Sequence, residues 1–509
     1  MRGEATDVAV ELKQRSLRSS AVSPLEAFYN SLAGQAPAYS VASGAAFIIG
    51  SSLGAAPLAM LITLLGVLPV VYAIYVLSKR YVNAASFYEY VKEGFGEGAG
   101  FVNGFVYTIF YSVLGVGSVA IAFGYLGYES IYAITGVKVS PLILVSAPIV
   151  LGLAIAYLGI RPSVRTEVAL TSIEIAVLLA FSALSIATHM PSLSLYPFTP
   201  QATFQSSLPA VLEAISAGLV FGITYFMGFE VSTMISEEAR DPRRSVPWAT
   251  LSATLLMGLL YVIVMYSVLV DIGVSQGSIS SFISAAEGAG LNPVYALIRA
   301  YLGYPGEVVF AISVLISVFG CYLATLNATA RMLYGMSRDG LMPRPLSSVH
   351  LKFRSPDVAL FTSSALAVLS TIMSYAIAAA MGYRGVALTY NAMEIAYAAD
   401  TLFYVFSLAL VAASAVKVVG PVGKAVIAVG IALLGITFYF SVAYITYMYV
   451  FLASLAASIA AYLIARRLRR GPRLSLQGLG PHSTEHSAGR FPPAFWAQQV
   501  SSLDSRQRL

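Results

Sequence analysis

The sequence predicts an all-α integral membrane protein with twelve transmembrane helices. Only 11% of its 509 residues are charged and 58% are hydrophobic, whereas a soluble domain carries about 25% charged residues. The mean hydropathy is +0.78. So few charged side chains cannot cover the surface of a water-soluble fold of this size, and most of the chain must therefore face lipid.

The apolar stretches have the length of membrane-crossing helices. Such a helix needs about 20 mainly apolar residues, and we place twelve of them at about 28–49, 57–77, 101–127, 140–158, 167–187, 210–235, 247–270, 308–330, 358–381, 392–415, 424–440 and 445–465. Residues 425–465 hold no charge. We divide them at the aromatic cluster of Phe438, Tyr439, Phe440 and Tyr444, because aromatic rings gather at membrane interfaces.

The basic residues predict the orientation. Residues 1–26 contain no apolar run, so we expect no cleavable signal peptide and a cytoplasmic N-terminus. With twelve spans, 27 of the 30 Lys and Arg residues fall in cytoplasmic segments, and Lys138, Arg299 and Arg384 lie outside. This distribution follows the positive-inside rule. It predicts a multi-pass protein of the cell (plasma) membrane with both termini in the cytoplasm.

The composition excludes several classes of function. The single cysteine is Cys321, and the four histidines, His189, His350, His482 and His486, lie in candidate loops and the C-terminal tail. These residues supply no metal-ligand set and no Ser-His-Asp or Cys-His arrangement. We therefore expect no enzyme, no metal and no cofactor. The net charge of +6 gives no reason to expect a nucleic acid partner, because the positive residues are explained by the cytoplasmic segments between the spans.

The first span carries the residues of a broken helix. Gly34 and Pro37 lie three positions apart, and Pro37 cannot donate to residue 33, although proline suits the first turn of a new helix. We expect a short helix that begins at Pro37 and points free N–H groups of Ala38 and Tyr39 at a cavity, where they would hold a carboxylate. A proline kink without a ligand is the alternative.

The sixth span offers a counterpart to this break. Gly222 and Gly228 flank Thr224 and Met227, and Glu230 follows two residues later. A break here would expose the carbonyls of Thr224 and Met227, which could accept from a ligand ammonium group. Broken helices in corresponding positions of two halves indicate an inverted repeat with a central substrate site.

This pairing defines the predicted domain organisation. A cytoplasmic segment, 1–26, precedes a ten-helix core, 27–415, which is a five-plus-five inverted repeat with discontinuous helices one and six. The first repeat covers 27–187 and the second 210–415. Two extra helices follow at 416–465. Residues 466–509 have a composition that cannot bury a core, which predicts a disordered basic tail whose arginines bind anionic lipid.

Two long motifs resemble the amino acid–polyamine–organocation superfamily of permeases. The residues from Gly228 to Glu230 and from Glu237 to Pro247 are similar to its pattern GFE…EE-x-(K/R)-(N/D)-P-x-R-x-x-P. The run from Arg331 to Pro343 is similar to R-x-L-x-x-M-(A/S)-R-D-G-x-x-P. The resemblance covers about residues 20–465. One departure is Ala36-Pro37-Ala38, where the family commonly has G-x-G.

The resemblance implies transport of amino acids or related amines by alternating access. It implies a carboxylate site on the backbone around Ala36, Pro37 and Ala38, and an ammonium site on carbonyls of Gly34, Thr224 and Met227. The side-chain pocket or gate would include Phe221, Thr224 and Tyr225, although packing between helices would also explain Tyr225. The whole predicted substrate-binding set is Gly34, Gln35, Ala36, Pro37, Ala38, Phe221, Thr224, Tyr225, Met227 and Gly228.

Buried carboxyl groups are the candidates for coupling transport to protons. Carboxylates inside a membrane are costly and usually functional, and Glu230 and Glu174 lie within spans six and five. A structural, hydrogen-bonded carboxyl is the alternative for both. Asp400 in span ten is expected to be solvated by an aqueous vestibule. Span eight lacks adjacent hydroxyl residues for a sodium site, which leaves proton symport or exchange.

The sequence also allows functions other than transport. A channel would need rings of polar residues along a pore, and the spans show none. A sensor built on a permease fold would bind amino acids without sustained flux, and it remains the alternative function. Which amino acid or amine is bound, and which oligomer forms, do not follow from the sequence.

Overall fold

The computed structural model describes residues 16–190, 193–288, 293–441 and 445–470, and in these ranges helices carry nearly the whole chain. Among the described residues the only bridge of β type joins Val22 to Ala239. The predicted all-α class is confirmed.

The described residues of the first half form eight α-helices. In chain order they are α1 (Pro24–Gln35), α2 (Pro37–Ser52), α3 (Ala56–Arg80), α4 (Ser86–Phe95), α5 (Glu97–Phe105), α6 (Val113–Thr135), α7 (Pro141–Tyr157) and α8 (Ile160–Thr188). A π-helix, Val106–Ser112, connects α5 to α6 without a break in the rod. The sequence pattern predicts span three here but not this change of helix type.

The second half forms nine further α-helices over the ranges that the structure describes. They are α9 (Leu208–Thr224), α10 (Val231–Met234), α11 (Pro242–Ile272), α12 (Gln276–Gly288), α13 (Pro293–Arg338), α14 (Asp357–Ala380), α15 (Gly385–Ala415), α16 (Pro421–Ser441) and α17 (Ile445–Arg470). Helix α13 is two helices joined at Gly303, whose φ of 67° bends the chain. The predicted span eight, 308–330, lies in its second part.

Nine helical runs within the described ranges are long and apolar enough to cross a membrane. One of them extends from Pro24 to Arg80 and holds the first two predicted spans, and α7 and α9 are shorter apolar helices of 17 residues. Every predicted span therefore overlaps a helix, while the number twelve stays a prediction.

The end of the chain differs from the prediction at one boundary. Helix α17 continues to Arg470, although the sequence composition assigns residues from 466 onward to a disordered tail. Arg469 donates to Glu97 Oε2 at 2.9 Å, so its charge has a partner within the fold. The predicted division between the last two spans covers 441–444, of which 442–444 lie outside the described residues, as do residues 471–509 of the predicted tail.

Segments that the sequence places in the cytoplasm meet at one end of the helix bundle. Val22 accepts from Arg240 N at 2.8 Å, and Arg354 donates to the carbonyl of Ser16 at 3.2 Å. Arg80 donates to the carbonyl of Val418 at 3.0 Å. These contacts join segments separated by an even number of predicted spans, as the predicted topology requires.

The two predicted breaks lie among the longest helices of the core. Helix α1 packs on α8 and α11, α2 packs on α9 and α13, and α10 contacts α1 and α13. Helix α6 lies against α13 and α15. The broken segments are therefore enclosed by rods that run past them on several sides.

Candidate functional site

The first break lies at the position that the sequence predicts. Helix α1 ends at Gln35, Ala36 adopts the left-handed region with φ 46° and ψ 71°, and α2 begins at Pro37. Proline at the first position of a helix gives up no hydrogen bond, because the N–H there has no intrahelical partner. The expected short helix is confirmed, and it replaces the alternative of a simple kink.

The free amides of α2 meet side chains of the protein itself. Ala38 N donates to Glu174 Oε2 at 3.2 Å, and Tyr39 N donates to Ser317 Oγ at 3.1 Å. Glu174 lies on α8 and is 1% exposed. The positive end of the α2 dipole attracts a negative group, and here a carboxyl group of the chain takes the position expected for a ligand carboxylate.

The second break follows Thr224. Six residues, 225–230, form turns between α9 and α10, and Gly228 has a φ of 92°. The carbonyl of Thr224, which the sequence assigns to a ligand, accepts from Met227 N at 3.2 Å. A carbonyl oxygen has a second lone pair, so this contact still leaves room for one further donor.

The two breaks touch each other through glycine. A Cβ atom built on Gly34 would lie 2.4 Å from the carbonyl oxygen of Gly228, and one built on Gly228 would lie 2.4 Å from the carbonyl oxygen of Gly34. Ser31 Oγ also donates to the carbonyl of Phe229 at 2.8 Å. Helices one and six are thus interrupted at matching depth, where their main chains are in contact.

A cavity of about 40 Å³ lies beside this contact. Six of the ten predicted binding residues line it, namely Gly34, Gln35, Ala36, Thr224, Met227 and Gly228. The remaining lining residues are Tyr39, Ser40, Tyr111, Gly115, Ser118, Val119, Cys321, Thr325, Tyr397 and Asp400. They come from α2, the π-helix, α6, α13 and α15.

Four predicted binding residues do not line the cavity. Pro37 and Ala38 are buried but are not among the lining residues. Phe221 is 38% exposed and stacks on Phe47 with ring centroids 5.5 Å apart. Tyr225 is 2% exposed and packs edge-on against Tyr261 at 4.8 Å. For Tyr225 the structure therefore favours packing between helices.

Glu230 is the last residue of the second break and lies outside the cavity lining. It accepts from Tyr107 OH at 2.7 Å and from Tyr404 OH at 2.9 Å. Tyr107 lies on the π-helix, and π-helical turns often occur at functional sites. The two hydroxyl groups hold a fully buried carboxyl group between α10, the π-helix and α15.

Asp400 is the carboxyl group that lines the cavity. It is 2% exposed, and it accepts from Ser118 Oγ at 3.3 Å and from Thr401 Oγ1 at 3.5 Å. The expectation that a vestibule solvates Asp400 is therefore wrong. Its helix packs closely against α6, which excludes bulk water from this face.

The sequence pattern misses most of the cavity's other side chains. Tyr39, Tyr111 and Tyr397 line it, yet the chain has 32 tyrosines, and no local motif marks these three. The signal that could have found them is helical register relative to Asp400. Tyr397 precedes Asp400 by three positions, so both lie on one face of α15.

Comparisons with known proteins agree with this architecture. A model of the amino acid permease family matches residues 31–465. The chain is 28% identical over 214 residues to the branched-chain amino acid permease BcaP of Bacillus subtilis, over 42% of each chain. It is 27% identical over 206 residues to the methylthioribose transporter of Bacillus subtilis, over 40% of each chain. The chain thus spans less than half the length of these curated relatives.

Two solved structures share the fold. A manganese transporter of Eremococcus coleocola, in complex with an aromatic bis-isothiourea substituted compound, has a TM-score of 0.52 at 15% identity and covers 88% of this chain and 95% of its own. MhsT in complex with L-phenylalanine has a TM-score of 0.51 at 16% identity, over 84% of this chain and 99% of its own. The family model covers most of the chain and spans both breaks, and the chain therefore belongs to the amino acid permease family.

Proposed function

We propose that the protein is a secondary active transporter that moves amino acids or related amines across the cell membrane by alternating access. The observation that carries the proposal is the contact of two interrupted helices beside a buried cavity, because this arrangement serves as the central substrate site of inverted-repeat transporters. Two relatives are named for transport of branched-chain amino acids and of methylthioribose, so the substrate needs direct measurement.

The size of the cavity supports a closed state in a transport cycle. Ligand pockets in proteins usually measure about 300–1,000 Å³, and the cavity of about 40 Å³ is far smaller. Binding must therefore move helices apart, and a transporter that opens to one side at a time makes such movements in every cycle.

Ion pairs support closure at the end of the bundle that we assign to the cytoplasm. Arg338 donates to both carboxylate oxygens of Glu237, at 2.6 and 2.8 Å, and Lys92 pairs with Asp339 at 2.8 Å. Burial lowers the pKa of Lys92, but its hydrogen bonds to Asp339 and Glu89 outweigh that effect and raise it above the usual value. We call Lys92, Glu237, Arg338 and Asp339 the ion-pair cluster.

For coupling we propose Glu230 as the proton-binding group. It is fully buried, it is hydrogen-bonded to Tyr107 and Tyr404, and it adjoins the segment that must move. Glu174, which accepts from Ala38 N, is the second candidate. Proton symport and exchange both remain compatible with these groups, and both termini are proposed to lie in the cytoplasm.

Uptake into proteoliposomes tests the proposal. The purified full chain, reconstituted and supplied with labelled amino acids and amines, is expected to give saturable uptake that depends on an imposed gradient. Gly435→Ala is the matched control for site variants, since nothing lies within 4 Å of a Cβ atom there. Saturable binding without flux would instead establish the alternative, a permease-fold sensor.

A further inference from the structure

We infer that the cavity takes a small organic cation that carries an ammonium group and no carboxylate, that is, an amine. This inference rests on the proposed transport function and narrows its substrate class. Three features of the described residues carry it: the amides of Ala38 and Tyr39 are already paired, the cavity lining holds one carboxylic acid, and it also holds an unpaired amide oxygen and three tyrosine rings.

The position expected for a ligand carboxylate is occupied by Glu174. Ala38 N and Tyr39 N donate to Glu174 Oε2 and Ser317 Oγ, and Pro37 has no N–H. A ligand carboxylate placed here would have to displace Glu174 or lie beside it, and two buried carboxylates in contact repel strongly. Ala38 also lies outside the cavity lining.

Asp400 gives the cavity an acidic group. Among the sixteen described residues that line the cavity, Asp400 is the one carboxylic acid, and its hydrogen-bond partners are the hydroxyl groups of Ser118 and Thr401. A buried charge is costly unless it is paired. A ligand ammonium group would supply the counter-charge that lets this carboxyl group ionise.

Gln35 supplies an acceptor without a donor. Its Nε2 donates to the carbonyl of Ser31 at 3.0 Å, which fixes the orientation of the amide. Its Oε1 is buried and has no hydrogen-bond partner, and the residue is 2% exposed and lines the cavity. A buried acceptor of this kind costs free energy until a donor arrives, and an ammonium group brings three.

Three aromatic rings complete the surroundings of a cation. Tyr39, Tyr111 and Tyr397 line the cavity together with Asp400. A cation close to the face of a tyrosine ring is stabilised by the ring quadrupole, and more strongly where water is excluded. The rings, the amide oxygen of Gln35 and the carboxyl group of Asp400 all favour a cationic ligand group over a ligand carboxylate.

Matched pairs of ligands test the inference directly. Each pair differs by one carboxylate: leucine and isoamylamine, lysine and cadaverine, arginine and agmatine. Affinities for the purified full chain in detergent are measured by isothermal titration calorimetry. We expect the amine of at least one pair to bind about tenfold more tightly than its parent. Tighter binding of the parent in every pair, or no amine binding at millimolar concentration, would overturn the inference.

Two variants make the test specific to the contacts above. Asp400→Asn should weaken amine binding by tenfold or more. Glu394→Gln also replaces a carboxyl group of α15 by an amide, but at a position outside the cavity lining, and it should leave amine binding within twofold. Glu174→Ala frees the amides of Ala38 and Tyr39, so it should strengthen binding of the parent amino acids relative to the amines. An unchanged preference in both Asp400→Asn and Glu174→Ala would contradict the assigned roles.

The flux assay separates this inference from the proposed function. If amino acids bind more tightly and are taken up, the substrate class is wrong and the transport function stands. If amines bind as expected but no substrate enters proteoliposomes, the substrate class stands and the transport function fails.

Discussion

Asp400 and Glu230 show how two buried carboxyl groups of one protein come to have different surroundings. Asp400 lines the cavity and receives hydroxyl hydrogen bonds from Ser118 and Thr401. Glu230 ends the second break and accepts hydrogen bonds from two tyrosine hydroxyl groups. Both carboxyl groups are visible in the sequence, but their partners are far away along the chain. The sequence therefore identifies the titratable groups and not their environments.

Replacement of Glu230 tests its role in proton coupling. We expect Glu230→Gln to abolish accumulation driven by an inward proton gradient while it leaves exchange of internal for external substrate largely intact, because the amide keeps the shape but cannot release a proton. Uptake with and without a pH gradient measures this. Tyr404→Phe, which removes one of the two hydroxyl donors, should give a smaller effect in the same direction. Undiminished gradient-driven accumulation in Glu230→Gln would assign the coupling to another group.

Tyr225 provides a contrasting prediction at the same scale. Its hydroxyl group is buried without a hydrogen-bond partner, and its ring packs on Tyr261. Tyr225→Phe should therefore leave ligand affinity within about twofold and raise thermal stability slightly, since an unsatisfied hydroxyl group costs about 1–3 kcal/mol. Titration calorimetry and a melting curve of the purified protein measure both. A large loss of affinity would show that Tyr225 belongs to the binding site.

At the scale of elements, the two breaks were predictable and the π-helix was not. Pro37 and the glycines act through local backbone chemistry, which can be read from a few neighbouring residues. The π-helix, Val106–Ser112, contains neither proline nor glycine. Its wider turn brings Tyr107 to Glu230 and Tyr111 to the cavity, and contacts with distant helices, which no short sequence window contains, stabilise that arrangement.

Gly228 allows a prediction about the second break. Gly228→Ala should reduce ligand affinity by more than tenfold, because its Cβ atom would lie 2.4 Å from the carbonyl oxygen of Gly34 and its φ of 92° is strained for any residue with a side chain. Titration calorimetry measures the affinity, and membrane yield with size-exclusion chromatography checks folding. Gly435→Ala is the control, with open space at the added methyl group. Equal affinities for both variants would argue against a site at this contact.

At the scale of the whole molecule, the sequence predicts topology better than it predicts the cavity. The distribution of lysine and arginine predicts which loops lie on the cytoplasmic side. The segments assigned to that side do meet at one end of the bundle. The cavity needs the relative rotation of five or more helices, which depends on packing between distant residues. Local sequence patterns predict the backbone part of the site, but they do not predict the tyrosines or Ser118 in the cavity lining.

The ion-pair cluster gives a prediction about the whole transport cycle. Cys321 is buried, it lines the cavity, and it is the single cysteine of the chain, so its labelling reports access to the site. Arg338→Ala removes the two hydrogen bonds to Glu237 and should speed labelling by a membrane-impermeant maleimide, several-fold, in inside-out vesicles. Labelling rates are measured by mass spectrometry.

A charge-swapped pair is the control for this experiment. Glu237→Arg combined with Arg338→Glu restores opposite charges at the same positions, so its labelling rate should return toward that of the unmodified chain. If Arg338→Ala labels no faster in inside-out vesicles, the ion-pair cluster does not limit access from that side.

The glycine contact between the breaks has a genetic consequence. Gly34 and Gly228 meet through main-chain atoms, so neither position has a side chain that could shrink to make room for a substitution at the other. A selection for revertants of Gly34→Ala should accordingly yield true reversion, or second-site changes in the surrounding helices, and no compensating mutation at codon 228.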